Sequence, residues 1–236
     1  MSVSAAVCWA KARCALAPCD DDLYQDKMNY LAHLYLAGND PDAVIGSLLG
    51  DFVKGRVDPL RSPALRHAIM QHRRIDAFTD AHPLVRRSKR RIRPEFRRYA
   101  GILVDVFYDH FLATEWRSYA EVPLEDFAAY VYDQVSRHLP TLPSRMQRSM
   151  HYMVATDLLT SYRTVDGIER SLRGIASRLR RPSRLGESVS ELEGGYLELR
   201  DDFTEFFPQL IRFVDDDNKD HSHVLAAPNR RQPFES

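Results

Sequence analysis

Two stretches of this sequence set metal-ligand side chains four residues apart. HRRIDAFTD, residues 72–80, carries His72, Asp76 and Asp80, and ILVDVFYDHFL, residues 102–112, carries Asp105, Asp109 and His110. Residues four apart on a helix lie on one face, so two such helices meeting face to face would bring carboxylates and imidazoles together. The second stretch is otherwise apolar, and acidic residues are rarely fully buried unless paired or bound to metal. His33 in NYLAHLYLAG and Asp51 in LLGDFVKG add two donors flanked by apolar residues. Oxygen and nitrogen donors without sulfur suit Mn²⁺, Mg²⁺ or Fe better than a structural zinc.

Each candidate also has a plain structural reading. His33 could be a core histidine with one satisfied hydrogen bond, and Asp51 a helix-end charge. Asp76 and Asp80 could form a solvated face beside Arg73 and Arg74. Asp105 and Asp109 are harder to explain in this way, because their neighbours leave little solvent face. His221 and His223 in DHSHV read as incidental. The segment VRRSKRRIRPEFRR, residues 85–98, holds eight basic residues and one acid. It reads either as a solvated helix face or as a docking surface for an acidic partner. There is no Walker loop, dinucleotide glycine fingerprint, GxSxG elbow or HExxH motif.

The elements that must position these residues are helices separated by Pro, Gly and Asp. A short apolar helix is expected over 43–53, and a longer one from Ser62-Pro63 to about Phe78, with the serine as cap and the proline in the first turn. A basic helix over 83–93 stops at Pro94, and a long helix over about 96–117 contains the Asp105/Asp109 pair. Further helices are expected near 123–138, 142–161, 164–178 and 188–212. The last carries Leu192, Tyr196, Leu199, Phe203 and Phe206 at helical spacing. No strand-like alternation is sustained, and the pattern predicts one all-α domain over 28–213.

Composition sets the outer bounds. The chain has 236 residues, with Lys+Arg and Asp+Glu equal at 33 each, so bulk charge points to no nucleic-acid or membrane partner. No apolar run approaches the roughly 18–20 residues needed to span a bilayer. The three cysteines, Cys8, Cys14 and Cys19, all lie in the opening segment, which fits a reducing cytoplasm. Residues 1–27 read as an extension outside the fold, since Lys11 and Arg13 interrupt what a signal peptide would keep apolar. The polar residues 214–236 read as a disordered tail.

MNYLAHLYLAG at 28–38, GSLLGDFVKG at 46–55, HRRIDAFTD at 72–80 and LVDVFYDHFLATEW at 103–116 occur in an order and spacing that resemble the acyl carrier protein phosphodiesterases. The likeness continues through SYRTVDGIERSLRGIASRLRR at 161–181 and covers essentially all of 28–213. The resemblance implies a single-domain helical bundle, HD-domain-like, because that family is regarded as a branch of the HD phosphohydrolases. It also implies a divalent ion, with Mn²⁺ favoured and Mg²⁺ or another possible. The implied reaction removes the 4′-phosphopantetheine arm from holo-acyl carrier protein. The sequence departs from ordinary HD enzymes in having Asp109-His110, the reverse of the usual His-Asp doublet.

On this resemblance the expected metal ligands are Asp51, His72, Asp109 and His33. Asp76 and Asp105 would complete the ligand shell or orient an imidazole, and Arg73 would stabilise charge on the phosphate. His110 would be the general acid for the leaving serine, or else a core histidine. Arg86, Arg87, Lys89, Arg90, Arg91 and Arg93 would dock the acidic carrier protein, with salt sensitivity. A cytoplasmic protein with no membrane or nucleic-acid partner is implied. Two rival functions remain open at this point: an HD-type phosphohydrolase acting on a nucleotide, and a non-catalytic helical nucleic-acid-binding protein.

Overall fold

Short polar caps and prolines start several of the helices. Asp40 accepts from the Ala43 N–H at 2.9 Å ahead of Pro41, and Ser62 accepts from the Leu65 N–H at 3.1 Å ahead of Pro63. His82 does the same for a helix beginning at Pro83, and Thr164 for one beginning at Val165. In each case the side chain satisfies a first-turn N–H that has no partner within the helix.

The computed structural model describes residues 29–179 and 182–221. These residues form eleven α-helices with short 3-10 turns and no strand, an all-α protein as expected. The helices are α1 (Tyr30–Ala37), α2 (Pro41–Leu49), α3 (Pro63–Ala81), α4 (Pro83–Arg91), α5 (Ala100–Thr114) and α6 (Leu124–His138). They continue with α7 (Ser144–Ala155), α8 (Leu158–Ser161), α9 (Val165–Ala176), α10 (Val189–Gly194) and α11 (Tyr196–Asp220). No helix among the described residues is long and apolar enough to cross a membrane.

The core is built around α5, which is buried on all sides and packs against α1, α4, α9 and α11. A helix that is apolar around its circumference has no solvent face to offer, which explains its central position. The pair α2 and α3 pack closely on one flank, and α3 also meets α11. Phe203 and Phe206 of α11 pack against Tyr108 and Phe111 of α5, and Phe206 stacks on Phe78 of α3.

Several boundaries differ from the expected ones. The central helix begins at Ala100, because Pro94–Tyr99 forms a separate 3-10 turn. The region 142–161 is broken at Asp157, which takes a left-handed conformation with φ of 46°. The expected helix over 188–212 is interrupted at Gly195. The tail expected from residue 214 is corrected: α11 runs on to Asp220, with Val214 buried and Asp217 paired to Arg74. The period-3.6 apolar pattern fades after Val214, but ion pairs to α3 take over its stabilising role. The expected extension over 1–27, and His223, lie outside the described residues.

Candidate metal centre

Two glycines one turn apart let α2 press against α3. A Cβ at Gly46 would sit 2.6 Å from the Ala68 Cβ and 2.9 Å from the Leu65 carbonyl oxygen. A Cβ at Gly50 would sit 2.2 Å from the His72 Cγ. Only glycine permits this approach, and it carries the next residue, Asp51, to the His72 ring: Asp51 Oδ1 lies 3.4 Å from His72 Nε2.

The third wall is α1, and its position depends on Asp109. Asn29, at the start of α1, makes no side-chain capping bond. Instead the two oxygens of Asp109, on α5, accept from the Leu31 N–H at 3.0 Å and the Ala32 N–H at 2.9 Å. A carboxylate from another helix thus takes the place of the missing cap. Asp109 has no exposed surface. Burial pushes its carboxyl well above the usual range, while the two N–H bonds act in the opposite direction. Both oxygens of Asp109, expected as a metal ligand, thus hold α1, whose next residue is His33.

His33, His72 and Asp76 each offer a donor atom, and these atoms all lie within 4.8 Å of one another. His33 Nε2 faces Asp76 Oδ1 at 3.3 Å, and His72 Nε2 faces Asp76 Oδ2 at 3.7 Å. The two imidazoles stack with ring centres 3.9 Å apart. His33 is only 3% exposed, yet its Nδ1 has no hydrogen-bond partner and its Nε2 meets only the Asp76 carboxylate, at 3.3 Å. A buried polar atom left in that condition is costly unless something else engages it. Burial, and then the neighbouring His72, lower the pKa of His33, while Asp76 and Asp51 act to raise it. A neutral imidazole offers a lone pair, as ligation requires. Two imidazoles and a carboxylate, with Asp51 at the border, form a set consistent with a divalent metal.

The cluster opens onto a pocket of about 360 Å³ whose lining includes Asp51, Lys54, Gly55, Arg73 and Asp76. Acidic donors thus line the same space as two cations. Arg73 gives one amino group to the Gly55 carbonyl at 2.7 Å and another to the Val53 carbonyl at 2.5 Å. It therefore also fixes the loop that carries Lys54. Lys54 was missed in the sequence, although it lies within the GSLLGDFVKG motif. No periodicity marks a loop lysine, and its position becomes visible only once Arg73 and Gly55 shape the loop.

The remaining expected residues lie elsewhere. His110, expected as general acid or core histidine, sits in the core: its Nδ1 donates to the Tyr162 carbonyl at 2.8 Å, and its Nε2 lies 3.2 Å from the Tyr196 hydroxyl. Asp105 is buried beside a second pocket of about 320 Å³, whose lining includes Asp80, Lys89, Arg90 and Arg97.

Much of the basic run is spent within the chain. Arg87 and Arg91 pair with the buried Asp202, Lys89 with Asp80, and Arg93 with Glu191. Arg86 bonds only the Asp80 carbonyl, and among the described residues Arg90 has no carboxylate in ion-pair range. Of the six expected docking cations, Arg87, Lys89, Arg91 and Arg93 are thus ion-paired within the chain.

Residues 28–210 match the sequence model of the acyl carrier protein phosphodiesterase family. An acyl carrier protein phosphodiesterase of Enterobacter sp. (strain 638) is 39% identical over 185 residues, covering 78% of this chain and 96% of the relative. Proteins of the same name from Escherichia coli O157:H7 and from Escherichia coli K12 (DH10B) are each 38% identical over the same shares. No solved structure matches.

Proposed function

The chain belongs to the acyl carrier protein phosphodiesterase family, and on that premise we propose that it hydrolyses holo-acyl carrier protein to apo-protein and 4′-phosphopantetheine. The observation that carries the reading is the His33–His72–Asp76 group, bordered by Asp51, at the edge of a pocket also lined by Lys54 and Arg73. This is an arrangement for a phosphodiester: ligand-type donors on one side and cations for the phosphate oxygens on the other.

His33, His72, Asp76 and Asp51 would hold a divalent ion, with Mn²⁺ the favoured identity. When bound, such an ion supplies Lewis acidity and lowers the pKa of water towards neutrality. Water adds to phosphorus, the bond from phosphorus to the carrier protein's serine oxygen breaks, and that oxygen takes up a proton. Lys54 meets the phosphate as a point charge, while Arg73 keeps the loop in register and adds positive field. Asp76 is the most solvent-facing of the group, with its side chain 24% exposed, so it lies where substrate enters. Asp109 takes no part in the chemistry, and holds the helix that presents His33.

Arg86 and Arg90 contribute docking charge for the acidic carrier protein, and the reading places the reaction in the cytoplasm. The direct test is intact-mass spectrometry of holo-acyl carrier protein after incubation with Mn²⁺ or with EDTA. Metal-dependent loss of one phosphopantetheine group, abolished in Asp76→Asn, is expected. An unchanged mass with folded, Mn²⁺-supplemented protein would sink the reading.

A further inference from the structure

On the side of α3 that meets the end of α11 lies a second set of ligand-type residues. His67, Asp217 and His221 each offer one donor atom, and these atoms lie within 4.8 Å of one another. His67 Nε2 is 3.8 Å from Asp217 Oδ2, and the His67 and His221 ring centres are 5.0 Å apart. His67 is only 8% exposed, whereas the His221 side chain is 41% exposed. Asp217 and His221 lie beyond residue 210, outside the segment matched to the family.

The surroundings hold these residues in place, and His67 Nε2 also lies 3.5 Å from the Gln71 amide nitrogen. His221 Nδ1 lies 2.8 Å from the Asp217 carbonyl oxygen, which can only accept, so the proton is on Nδ1 and the lone pair on Nε2. Metal-binding imidazoles are commonly fixed in this way through their other nitrogen. Arg74 holds both Asp217 oxygens at 2.7 Å, and Gln71 Nε2 reaches Oδ2 at 3.4 Å. These contacts orient the carboxylate without using all of its roughly four lone-pair sites. Gln71 also anchors Asn218, with 2.5 Å between its Nε2 and Asn218 Oδ1, so the turn carrying Asp217 is tied to α3. The carbonyl end of the 25-residue α11 adds a partial negative charge that favours a cation.

We infer that His67, Asp217 and His221 form a second metal site, suited to a borderline ion such as Zn²⁺, that latches the end of α11 to α3. Two imidazoles and one carboxylate make a zinc-type donor set. Tetrahedral ligation needs donors about 3.4 Å apart, given Zn–N and Zn–O lengths near 2.1 Å. The half-exposed His221 is the ligand able to move inwards. The latch holds the helix that carries His72 and Asp76 on its other side, so it acts on the rigidity of the first centre without touching substrate. The inference is independent of the proposed hydrolysis.

The test uses the full chain, stripped of metal, in an Asp76→Asn background that disables the first centre. Zn²⁺ should raise its Tm and remain bound, at about one ion per chain, after desalting. Adding His221→Ala should abolish both effects, and His221→Cys, which restores a ligand, should recover them. His221 is exposed enough for these changes to leave the fold intact, which circular dichroism checks. Equal zinc retention with and without the His221 side chain, or no zinc retained in Asp76→Asn, would overturn the inference.

Discussion

Buried polar groups of this protein are engaged in two opposite ways. Asp109 and Asp202 have no exposed surface, and their oxygens are engaged by donors: Asp109 by two backbone N–H groups, Asp202 by Ser88, Arg87 and Arg91. Around His33 the polar groups instead face one another at 3.3–3.7 Å, and the His33 Nδ1 has no hydrogen-bond partner. A buried charge whose partners are complete belongs to the architecture. A buried group of ligand-type atoms that converge on one another at the edge of a pocket is placed to meet something that arrives from outside.

The contrast is sharpest in the separation of activity from stability. Asp76→Asn should lower phosphopantetheine release by on the order of 10²-fold or more, by analogy with the cost of disturbing metal-site ligation, while Tm barely moves. Asp109→Ala should do the reverse. It leaves the Leu31 and Ala32 N–H groups buried without acceptors, so denaturant titration should show a loss of about 2–4 kcal/mol, with turnover per folded molecule largely kept. If Asp109→Ala were fully stable but inactive, the division between the two sites would fail. Gly50→Ala comes next, since its new methyl would drive into the His72 ring. Overpacking of this kind costs about 1–3 kcal/mol, and Mn²⁺-dependent activity should fall further than stability does.

The fold was largely legible because proline, serine and aspartate mark helix starts, and the apolar runs between them have helical spacing. The site was legible only in part. His33, Asp51, His72 and Asp76 could be picked out by residue type and neighbourhood. Asp109 could not be separated from them, because a carboxylate in an apolar helix looks the same whether it faces a metal or the amides of another helix. Only the position of α1 decides between those cases. The basic run misled for a similar reason: sequence shows eight cations within residues 85–98 but not Asp202 and Glu191, more than ninety residues away, which take up three of them. His221 was passed over because the pattern of α11 fades before its end.

Asp202 gives a pH test of the saturated class. Burial alone would raise its carboxyl, but Ser88, Arg87 and Arg91 together hold it below the usual value. A carboxylate with a depressed pKa stabilises the fold above its ordinary pKa of about 3.9, and that contribution is lost as pH falls through the lower folded value. Asp202→Asn should therefore be less stable than wild type by about 2 kcal/mol at neutral pH. The gap should close in acid. A gap that stays constant down to the acid limit would mean that Asp202 acts through shape and not charge.

The smallest expected effect concerns the cations that remain unspent. Arg87 and Arg90 are both exposed members of one helix, yet Arg87 is committed to Asp202 and Glu205 while Arg90 has no such partner among the described residues. Reversing Arg90 to Glu should raise KM for holo-acyl carrier protein a few-fold at low salt, with kcat unchanged, because an exposed charge at the rim governs encounter more than chemistry. The difference should shrink as ionic strength rises and the Debye length falls below about 8 Å. Arg87→Ala should instead lower Tm without that salt-dependent KM, since it removes one of the donors to a buried carboxylate. Equal KM changes in the two variants would mean that internal pairing does not decide which cations the partner meets.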